Sequence, residues 1–284
     1  MRGKILLTGV PGNVGGAVAE YLKGENIDFL AGARNIEKNK RQDESIGYIH
    51  FDFEDPASYG TALVGVTKVF LIRPPQLTDV LGIFVPFIQK CKEVGVKQIV
   101  FLSLLGVEKN PFPPHHKIEK AIVESGIPYT FIRPSFFMQN LSTTHAEDIK
   151  ERNDLFIPSG NAKVSFIDTR DIGEIIGRTL VEEGHGYKAY TITGSEAITY
   201  YQVADSMTKL LGRRITYTNP NLFKFRKEMI DRGIKRGFAT VMMVLYLTTK
   251  LGMANHVTNT AEILLKRNPR TIDEFIKDHL EVWQ

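Results

Sequence analysis

The first residues of the chain constrain its fold more than any other segment. Residues 4–8, Lys-Ile-Leu-Leu-Thr, form a short apolar run, and a stretch typical of an amphipathic helix begins near Val14. Between them lie Gly9, Gly12 and Gly15, spaced G-x-x-G-x-x-G. A strand, a glycine-rich turn and a helix in this order are the context in which such glycines indicate dinucleotide binding.

Each glycine of this turn has its own physical reason. Gly9 permits a sharp turn after the strand, Gly12 leaves the backbone open to a pyrophosphate, and Gly15 lets the helix pack closely on the strand. The free N–H groups at the helix start then bind the phosphates. A tight turn that binds nothing is the alternative interpretation. The predicted cofactor contacts in this segment are Thr8, Gly9, Gly12, Asn13, Val14 and Gly15.

Strand-like and helix-like segments alternate through the first two thirds of the chain. The predicted strands are residues 4–8, 28–33, 46–51, 68–72, 98–102 and 129–133, and the predicted helices between them are residues 14–24, 59–64, 78–94 and 117–125. This alternation predicts an α/β fold with a Rossmann-like, doubly wound parallel sheet whose ligand lies at the carboxyl ends of the strands.

The pattern becomes irregular after Pro134, with a helix ending at residue 180, a strand at residues 189–193, a helix at residues 199–211 and a mostly helical remainder. We therefore predict an NAD(P)-binding domain of residues 1–133 plus about 164–193. A smaller, helix-rich C-terminal substrate lobe is predicted for residues 134–163 and 194–284.

Composition and charge narrow the functional class. Of 284 residues, 43% are hydrophobic and 24% charged, as in ordinary globular proteins. The net charge of +4 is too balanced to indicate nucleic-acid binding. The most apolar late run, residues 238–247, is about half as long as a membrane span, and the strand near the N-terminus leaves no room for a signal peptide. We expect a cytoplasmic monomer or homodimer with no membrane partner.

The end of the second predicted strand selects the cofactor. It reads Ala33-Arg34-Asn35, and no carboxylate precedes Glu37. A carboxylate there would bind the ribose hydroxyls of NAD, whereas a guanidinium can pair with the 2′-phosphate of NADP. The sequence therefore favours NADP(H) over NAD(H), unless Arg34 is only a solvated surface residue.

Further cofactor contacts are expected where other strands end. Asp52 is placed to reach the adenine amino group or else caps a turn, and the backbone of residues 71–75 is expected to line the diphosphate and the nicotinamide ribose. Arg73 either contacts phosphate or lies on the surface. The predicted cofactor contacts beyond the glycine segment are Arg34, Asp52, Phe53, Ile72, Arg73, Pro74, Ser103, His116, Pro134 and Phe136.

The predicted catalytic residues are Ser103, at the end of the fifth strand, and His116, at the start of the next helix. Many hydride-transfer enzymes of this architecture use a Tyr-x-x-x-Lys pair there, but this chain has no tyrosine between Tyr59 and Tyr129. His116 can hold the nicotinamide ribose or donate a proton, with Ser103 or water as the alternative donor. We interpret His115 as a solvated residue and predict no metal site, because no third ligand accompanies the two histidines.

Motifs along nearly the whole chain keep a specific order and spacing. They are Thr8-Gly9-x-x-Gly12-x-x-Gly15, the Arg34 strand end, His116-x-x-Glu119, and residues 124–134, 164–172, 193–197 and 269–275. Together they resemble atypical short-chain dehydrogenase/reductases of the NmrA-like group, similar to bacterial type 2 NAD(P)H:quinone oxidoreductases. The resemblance implies a Rossmann fold, NADP(H) in most members, and reduction of small quinones directly from NADPH. Other members of the group have lost catalysis and sense the NADP/NADPH ratio through a protein partner.

The leading hypothesis is therefore an NADPH-dependent oxidoreductase that transfers a hydride to a small quinone or a related electrophilic acceptor. A quinone accepts hydride readily, so an enzyme without the Tyr–Lys pair can act mainly by positioning. The alternative is a catalytically inactive, NADP(H)-binding redox-sensing regulator. The predicted substrate-binding residues are Phe136, Phe137, Met138 and Asn140, whose aromatic members suit a flat ring or else form core packing.

Overall fold

The computed structural model describes residues 3–41 and 43–284. The strands are β1 (Lys4–Leu7), β2 (Phe29–Ala33), β3 (Tyr48–His50), β4 (Val66–Ile72), β5 (Gln98–Leu102), β6 (Tyr129–Pro134), β7 (Asp154–Phe156), β8 (Lys163–Val164), β9 (Lys188–Ile192), β10 (Ile198–Thr199) and β11 (Thr216–Thr218). The α-helices are α1 (Asn13–Gly24), α2 (Ile36–Lys40), α3 (Ala57–Ala62), α4 (Val85–Glu93), α5 (Pro114–Ser125), α6 (Ala146–Arg152), α7 (Thr169–Val181), α8 (Tyr200–Leu211), α9 (Leu222–Asp231), α10 (Arg236–Lys250), α11 (Thr260–Leu265), α12 (Ile272–Asp278) and α13 (Leu280–Trp283).

The chain divides into two compact units. The first unit consists of Met1–Pro134 and Thr169–Ile192, and the second of Ser135–Asp168 and Thr193–Gln284. The chain therefore leaves the first unit after β6, returns to it for α7 and β9, and leaves it again.

A parallel sheet forms the centre of the first unit. Within the described residues it has seven strands in the order β3-β2-β1-β4-β5-β6-β9, and every neighbouring pair is parallel. The strand order reverses between β1 and β4, which is the point where doubly wound sheets bind their ligands. The predicted Rossmann-like α/β fold is confirmed.

One face of this sheet carries a continuous apolar core. Side chains alternate between the two faces of a strand, and Leu6, Val69 and Phe101 point to the same cluster as Phe87 of α4 and Ile118 of α5. All five are buried. This packing fixes α4 and α5 against the sheet. The loops that follow β4 and β5 are therefore anchored at both of their ends.

The other face is covered by α1 and α7, which lie in close contact. A Cβ on Gly173 would lie 2.6 Å from the backbone of Ala17, and one on Gly177 would lie 2.1 Å from the ring of Tyr21. Both glycines are therefore required by the close approach of the two helices.

The predicted helix at residues 78–94 is interrupted. A π-helical turn at Val80–Phe84, capped by Asp79 accepting from the Gly82 N–H, precedes α4. Pro86 lies in the first turn of α4, where it has no N–H for a bond to the preceding turn. Regular α-helix can therefore begin only next to the proline.

The second unit has its own core and short strands that the sequence did not predict. β8 pairs antiparallel with β10, and β7 pairs parallel with β11. The buried ring of His145 lies with Nε2 2.7 Å from the hydroxyl oxygen of Tyr246 on α10. Among the described residues, no helix is long and apolar enough to cross a membrane.

Candidate active site

The glycine turn, residues 9–15, has the geometry that its sequence predicts. Gly9 has φ +71°, in the left-handed region that favours glycine. The Gly12 N–H donates to the Gly9 carbonyl at 3.0 Å. A Cβ on Gly15 would lie 2.1 Å from that same carbonyl oxygen, whereas a Cβ on Gly12 would meet only this oxygen, at 3.3 Å. Gly15 is thus required by packing, whereas Gly12 has a single close neighbour and its backbone is exposed.

The start of α1 has the features of an anion-binding site. Its N-cap is Gly12, which has no side chain to accept from the first-turn N–H groups, and the first turn carries no acidic residue. Asn13 is exposed, while Val14 points into the core. Uncapped N–H groups and the positive end of the helix dipole fit a pyrophosphate at this point.

The Thr8 side chain is hydrogen-bonded within the protein. Its buried hydroxyl donates to the Phe70 carbonyl at 3.0 Å and accepts from the Ile72 N–H at 2.8 Å. These bonds join the ends of β1 and β4. The hydroxyl therefore holds together the two strands between which the strand order reverses, here called the switch point.

Arg34 lies exposed directly after β2. Within the described part of the chain, its side chain makes no hydrogen bond or ion pair. The next residue, Asn35, caps α2 by accepting from the Lys38 N–H at 2.9 Å. The Arg34 guanidinium is therefore available for a phosphate beside the end of β2.

The residues after β3 are used mainly by the protein itself. A carboxylate oxygen of Asp52 accepts from the Glu54 N–H at 3.0 Å and so caps a turn. Phe53 is buried in an aromatic cluster, with its ring centre 4.8 Å from that of Phe51 and 5.2 Å from that of Phe84. A cofactor contact from Phe53 would have to come from its backbone.

Arg73 turns back onto its own loop. Its Nη1 donates to the carbonyls of Pro74, Pro75 and Leu77 at 3.0, 3.0 and 2.8 Å, and burial lowers its pKa. These bonds fix the loop after β4, so the guanidinium stabilises the predicted cofactor backbone at Ile72 and Pro74 instead of extending freely toward a phosphate.

The sequence predicts a solvated His115, but the residue is partly buried in the first turn of α5. Burial, assisted by the charge of Arg73, lowers its pKa to about 3. Its ring centre lies 5.9 Å from that of Phe101, and its buried Nδ1 has no hydrogen-bond partner within the described residues. The ring is neutral and lies beside Phe101 of β5.

Ser103 presents a buried hydroxyl at the end of β5. Its backbone N–H donates to the Ile132 carbonyl at 2.8 Å, which fixes the residue against β6. The residue is 5% exposed, and its Oγ has no partner among the residues that the structure describes. Since buried hydroxyls are normally paired, this one fits a site where a ligand supplies the partner.

His116 lies half-buried in the first turn of α5. Its Nδ1 is 2.9 Å from the carbonyl oxygen of Val107. A carbonyl can only accept, so we assign the ring proton to Nδ1, and the neutral ring then has Nε2 as an acceptor. His116 suits a hydroxyl partner, and it can donate a proton from Nε2 only in its charged form.

Several predicted site residues come together at one edge of the sheet in the first unit. The glycine turn, Ser103 and Pro134 all follow or end strands at the carboxyl edge of the sheet, and the Leu105 N–H donates to the Pro134 carbonyl at 3.1 Å. The predicted substrate residues lie in the second unit: Phe136, Phe137, Met138 and Asn140.

Within the second unit, three of these four residues take part in packing or strand pairing. Met138 is 2% exposed in the core, and Phe136 packs against it. Phe137 forms an isolated bridge with Ile167. Core packing, the alternative given for this segment, therefore accounts for Met138, while Asn140 stays half-buried.

Sequence reasoning gave no role to Glu108, although it lies 3.3 Å from Arg133. No signal in the sequence marks this contact, because the two residues belong to a loop and a strand that only the fold brings together. Over the described residues, no group of His, Cys, Asp and Glu can hold a metal ion.

Comparisons with known proteins match the chain over almost its full length. A model of the NmrA-like family matches residues 1–276. An NAD(P)H azoreductase from Xenophilus azovorans is 30% identical over 282 residues, which are 97% of each chain. Prestalk A differentiation protein A from Dictyostelium discoideum is 29% identical, over 96% of this chain and 91% of that protein. The structure of an NADPH-dependent quinone oxidoreductase from Escherichia coli, complexed with NADPH, is 27% identical with a TM-score of 0.88, over 98% of this chain and 99% of that one.

Proposed function

We propose that this chain, which belongs to the NmrA-like family, is an NADPH-dependent oxidoreductase that transfers a hydride to a small quinone or a related electrophilic acceptor. The observation that carries the proposal is the glycine turn, whose open backbone and uncapped helix start lie at the switch point between β1 and β4. The matched azoreductase and quinone oxidoreductase both act with a nicotinamide cofactor by their names, which supports the same class of reaction here.

Two features of the first unit support NADP(H) binding in this proposal. The first turn of α1 binds the diphosphate, and Arg34 binds the 2′-phosphate with its free guanidinium. A charge-assisted hydrogen bond of this kind contributes about 1.5–3 kcal/mol, which corresponds to a roughly 10- to 100-fold preference over NAD(H). His116 accepts a hydrogen bond from a hydroxyl of the nicotinamide ribose through Nε2.

The bound nicotinamide supplies the hydride. Ser103 donates a hydrogen bond from its buried hydroxyl to the acceptor oxygen, where negative charge develops as the hydride arrives. Because a quinone oxygen carries this charge well, water can deliver the proton afterwards, and no side chain with the acidity of the missing tyrosine is needed. Phe136, Phe137 and Asn140 stay our prediction for acceptor contacts.

The test measures oxidation of NADPH, and in parallel NADH, with a panel of small quinones and azo dyes. We expect turnover with NADPH in preference to NADH. R34S should raise the KM for NADPH roughly 10- to 100-fold and leave the KM for NADH unchanged. R41S is the matched control, since Arg41 is an exposed arginine at the end of α2.

Two outcomes would contradict the proposal. If NADPH binds tightly but no acceptor of the panel is reduced, the chain is better explained as a redox-sensing regulator that acts through a protein partner. If R34S and R41S change the KM for NADPH equally, Arg34 does not bind the 2′-phosphate.

A further inference from the structure

Arg133, near the end of β6, lies at the centre of an ion-pair network in the first unit. Its Nε and Nη2 donate to the two carboxylate oxygens of Glu119 at 3.0 and 2.7 Å. Its Nη1 lies 3.3 Å from a carboxylate oxygen of Glu108. The guanidinium also lies over the ring of Phe131, 6.0 Å from its centre. A planar fork with partners on two edges and one face has a single orientation.

The network joins three segments of the chain. Arg133 belongs to β6, Glu119 to the second turn of α5, and Glu108 to a 3₁₀ turn at Val107–Lys109. Burial lowers the pKa of Arg133, but its hydrogen bonds to Glu119 and the charges of both glutamates outweigh this and raise it. The guanidinium is therefore charged, and a buried charge keeps its partners because losing one is costly.

The 3₁₀ turn that contains Glu108 also supplies the acceptor for His116. The Val107 carbonyl of that turn binds the histidine at Nδ1. The two neutral tautomers of an imidazole offer opposite groups to a ligand, since Nε2 is an acceptor in one and a donor in the other. Any contact that fixes the position of the turn therefore also fixes whether Nε2 of His116 is a donor or an acceptor.

We infer that Arg133 is a positioning residue that, through Glu108 and the Val107–Lys109 turn, keeps His116 in the tautomer with the proton on Nδ1. The use of that tautomer, to bind a ribose hydroxyl, rests on the proposed function, but the tautomer itself does not. The Glu119 arm anchors α5 to β6, and the Glu108 arm sets the turn.

The two arms can be separated experimentally. Glu119 is 7% exposed, so its removal would take both hydrogen bonds from a largely buried guanidinium and endanger the fold. The side chain of Glu108 is 38% exposed, and partly exposed ion pairs contribute little to stability. E108A therefore removes the positioning arm while the fold is retained.

The test is a long-range ¹H–¹⁵N correlation of the imidazole rings in uniformly ¹⁵N-labelled protein without cofactor. The spectrum is recorded at pH ~8.5, about two units above the ordinary pKa of a free histidine. H116N identifies the His116 signals among those of the seven histidines. We expect wild-type His116 to show a protonated Nδ1 and an unprotonated Nε2. In E108A the two nitrogen shifts should move toward each other as both tautomers become populated.

Two further variants complete the design. R133K keeps the charge but cannot hold both glutamates with a planar fork, and it should shift the same signals. E124A is the matched control on α5, because Glu124 is exposed and pairs only weakly with Lys120 at 3.7 Å. Its His116 signals should match the wild type. If R133K does not fold, E108A alone decides.

The result that overturns the inference is an unchanged tautomer signature in folded E108A. If the inference and the proposed function both hold, E108A also raises the KM for NADPH by about fivefold, the effect of one lost hydrogen bond. A tautomer shift in a protein that never oxidises NADPH would refute the proposed function and leave the positioning role standing. An unchanged tautomer in E108A of an active reductase would refute the positioning role and leave the proposed function standing.

Discussion

Replacing Gly15 by alanine tests the geometry of the glycine turn most directly. The added Cβ would lie 2.1 Å from the Gly9 carbonyl oxygen, 2.5 Å from its carbon and 2.8 Å from the Cα of Val10. These are backbone atoms that no rotamer change can move, so α1 must shift away from β1. Overpacking costs about 3 kcal/mol, and the better helix propensity of alanine returns about 1 kcal/mol. We therefore expect G15A to lower the free energy of unfolding by ~2 kcal/mol.

Gly16 provides a control in the adjacent position. A Cβ there would meet only the Val10 carbonyl oxygen, at 3.4 Å, which is an ordinary contact. G16A should raise the free energy of unfolding by about 0.5–1 kcal/mol through helix propensity alone. Both variants add one methyl group to α1, at adjacent positions. Only the atoms that surround the added group differ between them.

Urea unfolding measures the stability of both variants, and quenching of NADPH fluorescence or calorimetry measures binding. Because the shifted helix start no longer faces the phosphates, G15A should weaken NADPH binding at least tenfold, equivalent to about 1.4 kcal/mol. G16A should bind as the wild type does. Equal stability and equal affinity in the two variants would refute the close packing of α1 on Gly9.

Three other side chains give separate predictions. S103A should retain wild-type stability, because the Oγ has no partner within the described residues, but should lower kcat/KM about tenfold or more in the acceptor assay; an unchanged kcat/KM would exclude Ser103 from the site. Burial lowers the pKa of His145 from 6.5 to about 4, so the unfolded chain takes up this proton first and stability falls as the pH drops from 6.5 to 4, by at most ~3 kcal/mol; H145Q should show a flatter stability profile in urea unfolding over this pH range, and equal slopes would contradict the assignment. Burial raises the pKa of Cys91, so its thiol should react with Ellman's reagent in the native protein only as fast as the protein unfolds.

The parallel sheet was predictable because its strands are short apolar runs separated by helices. β5 occurs at the predicted residues, and β1 differs by one residue at its end. The position of Pro86 was visible in the sequence, but its effect on the predicted helix depended on which turn it occupied. The short pairs β7–β11 and β8–β10 were missed because each strand has two or three residues, too few to show alternation.

The candidate site was predictable where a residue is constrained by its neighbours in sequence. It was less predictable where its geometry depends on the direction of a side chain. Gly9 and Gly15 could be assigned because their constraint comes from neighbours in sequence. The inward turn of Arg73 and the burial of His115 depend on packing between segments far apart in the chain, as does the contact between Arg133 and Glu108. Residue type and spacing do not encode these directions.

The close fit of α1 to α7 has a consequence for how this protein is made. The helix that begins at the glycine turn ends at Gly24, and the helix that covers it begins only at Thr169. At about 5–20 residues per second, a ribosome needs roughly 7 to 30 seconds to deliver that partner. During this interval the apolar side of α1 is exposed on the nascent chain and available to chaperones. A fragment ending near Pro134 would keep that side uncovered and lack β9, so the cofactor-binding half cannot be cut out as an independent module at its first boundary.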